Sequence, residues 1–324
     1  MSRANRIHLI AHANPIGKDV GRFEFASLRA YLDHIRAHLP RRFRLTCAPR
    51  LLDPPPDAAR AGRADDADRA RDLQNALNDP QTVAIVAASG GAYFTRILPQ
   101  VDFSPLARRE RPLWAFGFSE MTSLVNLAAS YRAGRGVYWL CPNYLAWKIR
   151  PARLARDAFG EFWRRLATAL ETGDLADLAR LGVDGLEGEV VAGRPVSGRA
   201  RIIGGCLSVL GPLLCGPLGR RLRARDAWLL IEDINEADYR IDRHLAALKL
   251  AGWFEQAAGV LLADFHSGAE NQRGAVLELL RFHTPRRLPI VATPTVGHVW
   301  PMALTRIGKS LPMRVRGRRV TIGR

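Results

Sequence analysis

Lysine is almost missing from this chain of 324 residues. Of its 48 basic side chains only Lys18, Lys148, Lys249 and Lys309 are lysine, and the other 44 are arginine. A formal charge of +17 would ordinarily point to nucleic acid or an anionic membrane, because clustered cations release counterions at phosphates. Here the arginines are scattered through helices rich in Ala and Leu, the signature of a compositional bias. Short basic pieces such as Gly219-Arg220-Arg221-Leu222-Arg223 and Arg314-Val315-Arg316-Gly317-Arg318-Arg319 read as solvated faces, so no nucleic-acid partner is expected. Cysteine is sparse too. Cys47, Cys141, Cys206 and Cys215 lie far apart with no CxxC spacing, which excludes a disulfide framework or a zinc knuckle and makes a reducing cytoplasm the default. No apolar run approaches the roughly 20 residues that cross a bilayer, and the apolar core of the opening segment is too short for a signal peptide, so no membrane partner is expected.

What is present is a large apolar fraction, 48%, ample for the core of a globular chain. Strands alternate with helices in the first half, as parallel α/β folds require. Strand candidates there are Ile7 to Ala11, Val83 to Ala88, Leu113 to Phe118 and Val137 to Leu140, and helical spacing runs from Glu24 to His38, Ala67 to Leu77 and Pro151 to Ala169. The proline triplet in Asp53-Pro54-Pro55-Pro56-Asp57 cannot continue a helix and reads as a loop. Before the Gly- and Val-rich stretch Gly182 to Gly198 the sequence places a domain junction, giving an N-terminal domain over 1–170 and a C-terminal one over 171–324. The second half carries strands near Ala200 to Ile203, Ala227 to Ile231, Val260 to Ala263 and Ile290 to Ala292, with helices Ala237 to Leu250 and Glu270 to Phe282. No internal repeat is found.

Three segments carry chemistry. In Trp114-Ala115-Phe116-Gly117-Phe118-Ser119-Glu120-Met121 an apolar strand meets one hydroxyl before a helix-like run, the pattern that exposes a nucleophilic serine at a sharp turn with helical N–H groups beside it. A serine in that place also commonly caps a helix. In Trp228-Leu229-Leu230-Ile231-Glu232-Asp233, four apolar residues deliver carboxylates to a strand end, where catalytic groups collect in α/β sheets. Capping the next helix, or pairing with Arg240 and Arg243, is the plainer use of such acids. Finally, Ile290-Val291-Ala292-Thr293-Pro294-Thr295-Val296-Gly297-His298 ends a punctuated loop in histidine. Acyl transfer needs a nucleophile, a base and a group that orients the base, and Ser119, His298 and Glu232 or Asp233 supply one of each.

In the order they occur, these residues resemble the L,D-carboxypeptidases, serine peptidases that include muramoyltetrapeptide carboxypeptidase and the microcin C immunity peptidase. The resemblance covers most of the chain. Its motifs are Gly90-Gly91-Ala92-Tyr93-Phe94-Thr95-Arg96-Ile97-Leu98-Pro99 with Asp102, the elbow Gly117-Phe118-Ser119-Glu120, the turn Gly204-Gly205-Cys206-Leu207, the block from Glu232-Asp233 to Tyr239-Arg240-Ile241-Asp242-Arg243, and Gly297-His298. It implies a glutamine-amidotransferase-like parallel α/β domain followed by a smaller C-terminal α/β domain. The implied triad is Ser119 as nucleophile, His298 as general base and Glu232 as its orienter, with Asp233 supporting from behind. The oxyanion donors would be the backbone N–H groups of Gly91 and Glu120. The expected reaction is release of the terminal D-alanine of murein tetrapeptide in cytoplasmic wall recycling, by a homodimer that uses no metal or organic cofactor.

The chain departs from the family pattern where Arg-Gly-Gly-Tyr-Gly becomes Ser89-Gly90-Gly91-Ala92-Tyr93, where Glu120 replaces aspartate, and where Cys206 replaces asparagine. An amide of a peptidyl-nucleotide antibiotic, or non-catalytic anion binding, are the alternatives those departures raise. Other motifs are weaker. His34 and His38 are four apart but lack the intervening glutamate of a zinc protease and read as a solvated face. The run Gly211 to Gly219 lacks the Lys-Ser/Thr of a phosphate loop and reads as a connecting turn, and His266 and His283 have no evident partner.

Overall fold

The computed structural model describes residues 5–54, 65–222 and 224–323. Most of the proline-triplet loop, and Arg223 of the first basic piece, lie outside them. Its strands in chain order are β1 (Asn5–Ile10), β2 (Phe43–Thr46), β3 (Thr82–Ala87), β4 (Leu113–Gly117), β5 (Gly134–Tyr138), β6 (Leu186–Ala192) and β7 (Gly198–Cys206). They continue with β8 (Ala227–Ile234), β9 (Gly259–Ser267), β10 (Glu270–Asn271), β11 (Ile290–Ala292), β12 (Thr305–Ile307), β13 (Ser310–Arg316) and β14 (Arg319–Ile322). The longer helices are α1 (Leu28–His38), α2 (Asp66–Asn78), α3 (Thr122–Ala129), α4 (Ala152–Thr172), α5 (Leu207–Cys215), α6 (Asp238–Leu250) and α7 (Arg273–His283). Two compact units result: residues 1–121, 131–135 and 140–181, and residues 122–130, 136–139 and 182–324.

In the first unit β2, β1, β3 and β4 lie side by side and parallel. A parallel sheet is covered on both faces, which is why β3 and β4 are apolar without alternation and buried throughout. Helix α1 starts at Leu28, later than its apolar spacing predicts, because the Ser27 hydroxyl accepts the Ala30 N–H and caps it there. Along α4 the side chains of Phe159, Phe162, Trp163 and Leu166 recur on one buried face, and Phe159 packs against Tyr31 of α1 at 5.1 Å between ring centroids. His34 and His38 do not form a solvated face. Their rings stand 4.4 Å apart, His34 Nε2 lies 3.3 Å from the Arg156 carbonyl, and His38 Nδ1 lies 2.8 Å from the His34 carbonyl.

The second unit is built on a closed sheet. Its order β9-β11-β6-β14-β13-β7-β8 returns to β9 through a parallel β8–β9 pairing, and the short β10 hairpins back onto β9. Parallel ladders join β7 to β8, β8 to β9 and β9 to β11, while antiparallel ladders run through β6, β14 and β13. The expected C-terminal α/β pattern is therefore only the parallel side of a barrel, and full closure removes its edges. The stretch read as a Gly- and Val-rich junction contains β6. The basic piece Arg314–Arg319 is a hairpin turning at Gly317, whose neighbours Arg316 and Arg319 pair across the two strands. The run from Gly211 is a helix rather than a turn: α5 carries Pro212 inside it and buries Leu207, Val209, Leu210, Leu213 and Leu214. Within the same unit β12 pairs antiparallel with residues 136–138.

Candidate active site

Ser119 follows β4 and opens a tight 3-10 turn, Ser119–Met121, that leads into α3. Its φ of 59° puts a non-glycine residue in left-handed backbone, away from the extended conformation of an N-cap serine. Strain of that kind, at the end of a buried parallel strand, is the geometry of a nucleophile elbow. Gly90 lies against it, since a Cβ there would sit 3.0 Å from Ser119 Cβ and 3.4 Å from its Oγ. The next residue, Gly91, packs on Ala13 and Asn14, and Ala92 donates its N–H to the Ala13 carbonyl at 3.0 Å. Among the described residues neither the Gly91 nor the Glu120 N–H has a protein acceptor. The Glu120 side chain has a separate task. Burial raises its carboxyl above the ordinary glutamate range, and one oxygen accepts both the N–H (2.9 Å) and the hydroxyl (3.0 Å) of Thr95, fixing the start of the turn Thr95–Gln100.

In the second unit the last residues of β8 deliver two carboxylates in different directions. Glu232 is completely buried. Its Oε2 lies 2.8 Å from His298 Nδ1, and its Oε1 accepts the hydroxyl of Tyr138 at 2.5 Å. A histidine that donates Nδ1–H to a carboxylate presents Nε2 as its basic nitrogen. Burial works to lower the His298 pKa, but the Glu232 charge and hydrogen bond, helped by Asp233 and Asp264, outweigh it and hold the pKa above the ordinary histidine value. Gly297 makes the approach possible. Its φ is 112°, and a Cβ there would fall 2.8 Å from Glu232 Oε2 and 3.1 Å from Asp264 Cβ.

Asp233 turns the other way. It accepts the Ser208 N–H at 2.7 Å in the first turn of α5, the Ile234 N–H at 2.9 Å, and the thiol of Cys206 at 3.4 Å. Burial and the neighbouring Glu232 charge push its carboxyl up to about 6. Cys206 pairs with Glu232 in the β7–β8 ladder, and burial, followed by the charges of Glu232 and Asp233, raises its thiol well above the usual range, so it is not a poised nucleophile. Neither acid pairs with Arg240 or Arg243. Arg240 instead lies near Glu236.

The structure thus joins Glu232 to His298 within one unit, sets Asp233 beside them, and gathers Ser119, Glu120 and the glycine pair in the other. Tyr138 was not legible as a partner of Glu232, because nothing in sequence spacing relates a residue of β5 to one 94 positions later. The two histidines without evident partners both have one. His266 Nδ1 stands 2.5 Å from Asp264 Oδ2, and His283 Nε2 stands 2.7 Å from Asp242 Oδ1.

Residues 7–136 match the sequence profile described as LD-carboxypeptidase N-terminal domain, and residues 199–313 match that of the LD-carboxypeptidase C-terminal domain, together about three quarters of the chain. The chain belongs to the LD-carboxypeptidase family. A murein tetrapeptide carboxypeptidase of Pseudomonas aeruginosa is 29% identical over 266 residues, 80% of this chain and 76% of that protein. A Bacillus subtilis protein named "Probable murein peptide carboxypeptidase" is 30% identical over 217 residues, 66% of this chain but 62% of its own length. The match thus spans less than two thirds of that relative. Among solved structures, an MccF-like protein from Streptococcus pneumoniae in complex with AMP covers 98% of each chain with a TM-score of 0.68 at 16% identity. MccF in complex with glutamyl sulfamoyl guanosine covers 100% of this chain and 97% of its own at 0.65 and 17%. At those identities the likeness is one of fold. Among the described residues no helix of this LD-carboxypeptidase family member is long and apolar enough to cross a membrane.

Proposed function

We propose that this protein is a serine carboxypeptidase that hydrolyses the amide to the terminal D-alanine of murein tetrapeptide in cytoplasmic wall recycling. The observation that carries the reading is the fully buried Glu232 holding His298 by Nδ1 in one unit and, in the other, a serine strained into an elbow with Gly90 packed against it. In this mechanism His298 Nε2 takes the Ser119 proton and Ser119 Oγ attacks the amide carbonyl. The oxyanion is held by the N–H groups of Gly91 and Glu120, each worth about 3 kcal/mol in comparable sites. His298 then protonates the leaving D-alanine amine, and water, activated by the same imidazole, hydrolyses the acyl-enzyme. Tyr138 keeps Glu232 oriented, and Asp233 supports the loop entering α5. A homodimer whose first unit is of glutamine-amidotransferase type belongs to the same reading.

A second substrate, an aminoacyl or peptidyl nucleotide, is favoured by one feature. The half-exposed ring of Tyr93 lies under the Arg96 guanidinium at 4.5 Å, which also meets Asp66 Oδ1 at 3.2 Å, so the ring offers an aromatic face for a base beside a cation. Incubation of the protein and its Ser119→Ala variant with murein tetrapeptide, followed by mass spectrometry, separates these readings. D-alanine released by the parent alone supports the first. No release, with cleavage of an aminoacyl sulfamoyl nucleoside as a nucleotide mimic, moves the reading to the second.

A further inference from the structure

The glycine pair beside Ser119 is suspended between two anchors, and one of them is a buried carboxylate with no part in the acyl-transfer chemistry described so far. At the exit, Ala92 N–H is fixed on the Ala13 carbonyl. At the entry, the Ser89 hydroxyl donates to Asp19 Oδ2 at 2.5 Å, and the preceding Ala88 carbonyl accepts the Asn143 N–H at 3.1 Å. Asp19 lies in the short helix Gly17–Arg22 and is 5% exposed. Asn143 Nδ2 donates to the same Oδ2 at 3.1 Å, Trp147 Nε1 donates to Oδ1 at 2.7 Å, and Asn143 is itself held by the buried Tyr31 hydroxyl at 2.7 Å. Among the described residues no arginine or lysine pairs with Asp19. A buried carboxylate satisfied only by neutral donors is costly to keep and persists where its geometry matters.

We infer that Asp19 is a positioning residue: through Ser89 it fixes the direction in which Gly90 and Gly91 leave β3, and so where the Gly91 N–H points relative to Ser119. Every partner of Asp19 is a donor, so an asparagine amide would turn its own NH2 onto one of them. A carboxylate is therefore required and not merely tolerated.

The catalytic part of this inference rests on the proposed reaction, but its structural part does not. Hydrogen exchange of residues 88–92, read by mass spectrometry on the full chain, is expected to quicken by about tenfold or more in Asp19→Asn and Ser89→Ala, and to stay near the parent rate in Ser89→Thr. On murein tetrapeptide, the first two variants are expected to lose kcat by about 10- to 100-fold with KM within about twofold, the cost of misplacing an oxyanion donor by under an ångström. Ser89→Thr recovers most of it. Unchanged exchange in Asp19→Asn, or a loss carried by KM alone, overturns the inference. A parent without Ser119-dependent turnover removes the peptidase reading, and the exchange result then decides the positioning role by itself.

Discussion

Replacing Tyr138 by phenylalanine removes one oxygen from a fully buried pair. Tyr138 and Glu232 are both inaccessible to solvent, and the 2.5 Å hydrogen bond from the phenol satisfies Glu232 Oε1, while Oε2 is engaged by His298. A hydrogen bond to a charged group contributes about 1.5–3 kcal/mol, and the phenol is the donor that satisfies this buried carboxylate oxygen. The variant is therefore expected to lose about 2 kcal/mol. For a unit of roughly 150 residues that lowers Tm by about 4–8 °C. Urea denaturation followed by tryptophan fluorescence should show the midpoint falling with the slope unchanged, the mark of lost stability rather than an altered denatured state. A loss below about 0.5 kcal/mol would mean that Glu232 does not depend on this phenol.

Other consequences concern the same two units. Since His298 is held above the ordinary value of about 6.5, its stabilising contribution is complete below that pH and fades as pH rises through the higher folded value. Turnover runs the opposite way, because the base must be neutral: the acid limb of kcat/KM should lie above about 6.5 and shift down in Glu232→Gln. A parent limb below 6.5 would contradict the pairing. For Asp233, pushed up to about 6 against roughly 3.9 unfolded, the folded state binds the proton more tightly. It stabilises the fold below about pH 4 and loses that contribution as pH rises through about 6, so Asp233→Asn should flatten urea stability across that window. Gly297→Ala forces a Cβ to 2.8 Å from Glu232 Oε2 at a φ of 112° and should cost about 2 kcal/mol or more, together with turnover, read by urea melts and by D-alanine release. Gly90→Ala places its Cβ 3.0 Å from Ser119 Cβ, a contact a small shift relieves. It should keep Tm within about 2 °C yet lower kcat by about tenfold or more.

Much of this was legible from residue order. The apolar runs of β3, β4 and β8 declare themselves because parallel strands buried on both faces carry no polar alternation, and the residues that follow them, Ser119 and Glu232, stand out by contrast. The barrel was not legible. Closure depends on antiparallel strands such as β13 and β14, whose exposed faces are rich in arginine and read as surface, and on β6, whose Gly188, with Gly185 and Gly193 on either side of the strand, looks like a linker. Helix α5 was hidden by Pro212 and its flanking glycines, although burial of five of its apolar side chains outweighs their poor propensity. Tyr138 and Asp19 were invisible for a different reason: a hydrogen bond between side chains far apart in sequence leaves no periodic trace.

Whether Ser119 forms the acyl-enzyme is decided by rapid-quench mass spectrometry of the intact protein mixed with murein tetrapeptide. A transient species heavier by the tripeptide acyl group is expected, mapped to the peptide containing Ser119, absent in Ser119→Ala and slow to form in His298→Ala. D-alanine released by Ser119→Ala at the parent rate, or an acyl group on any other residue, would contradict that role of Ser119.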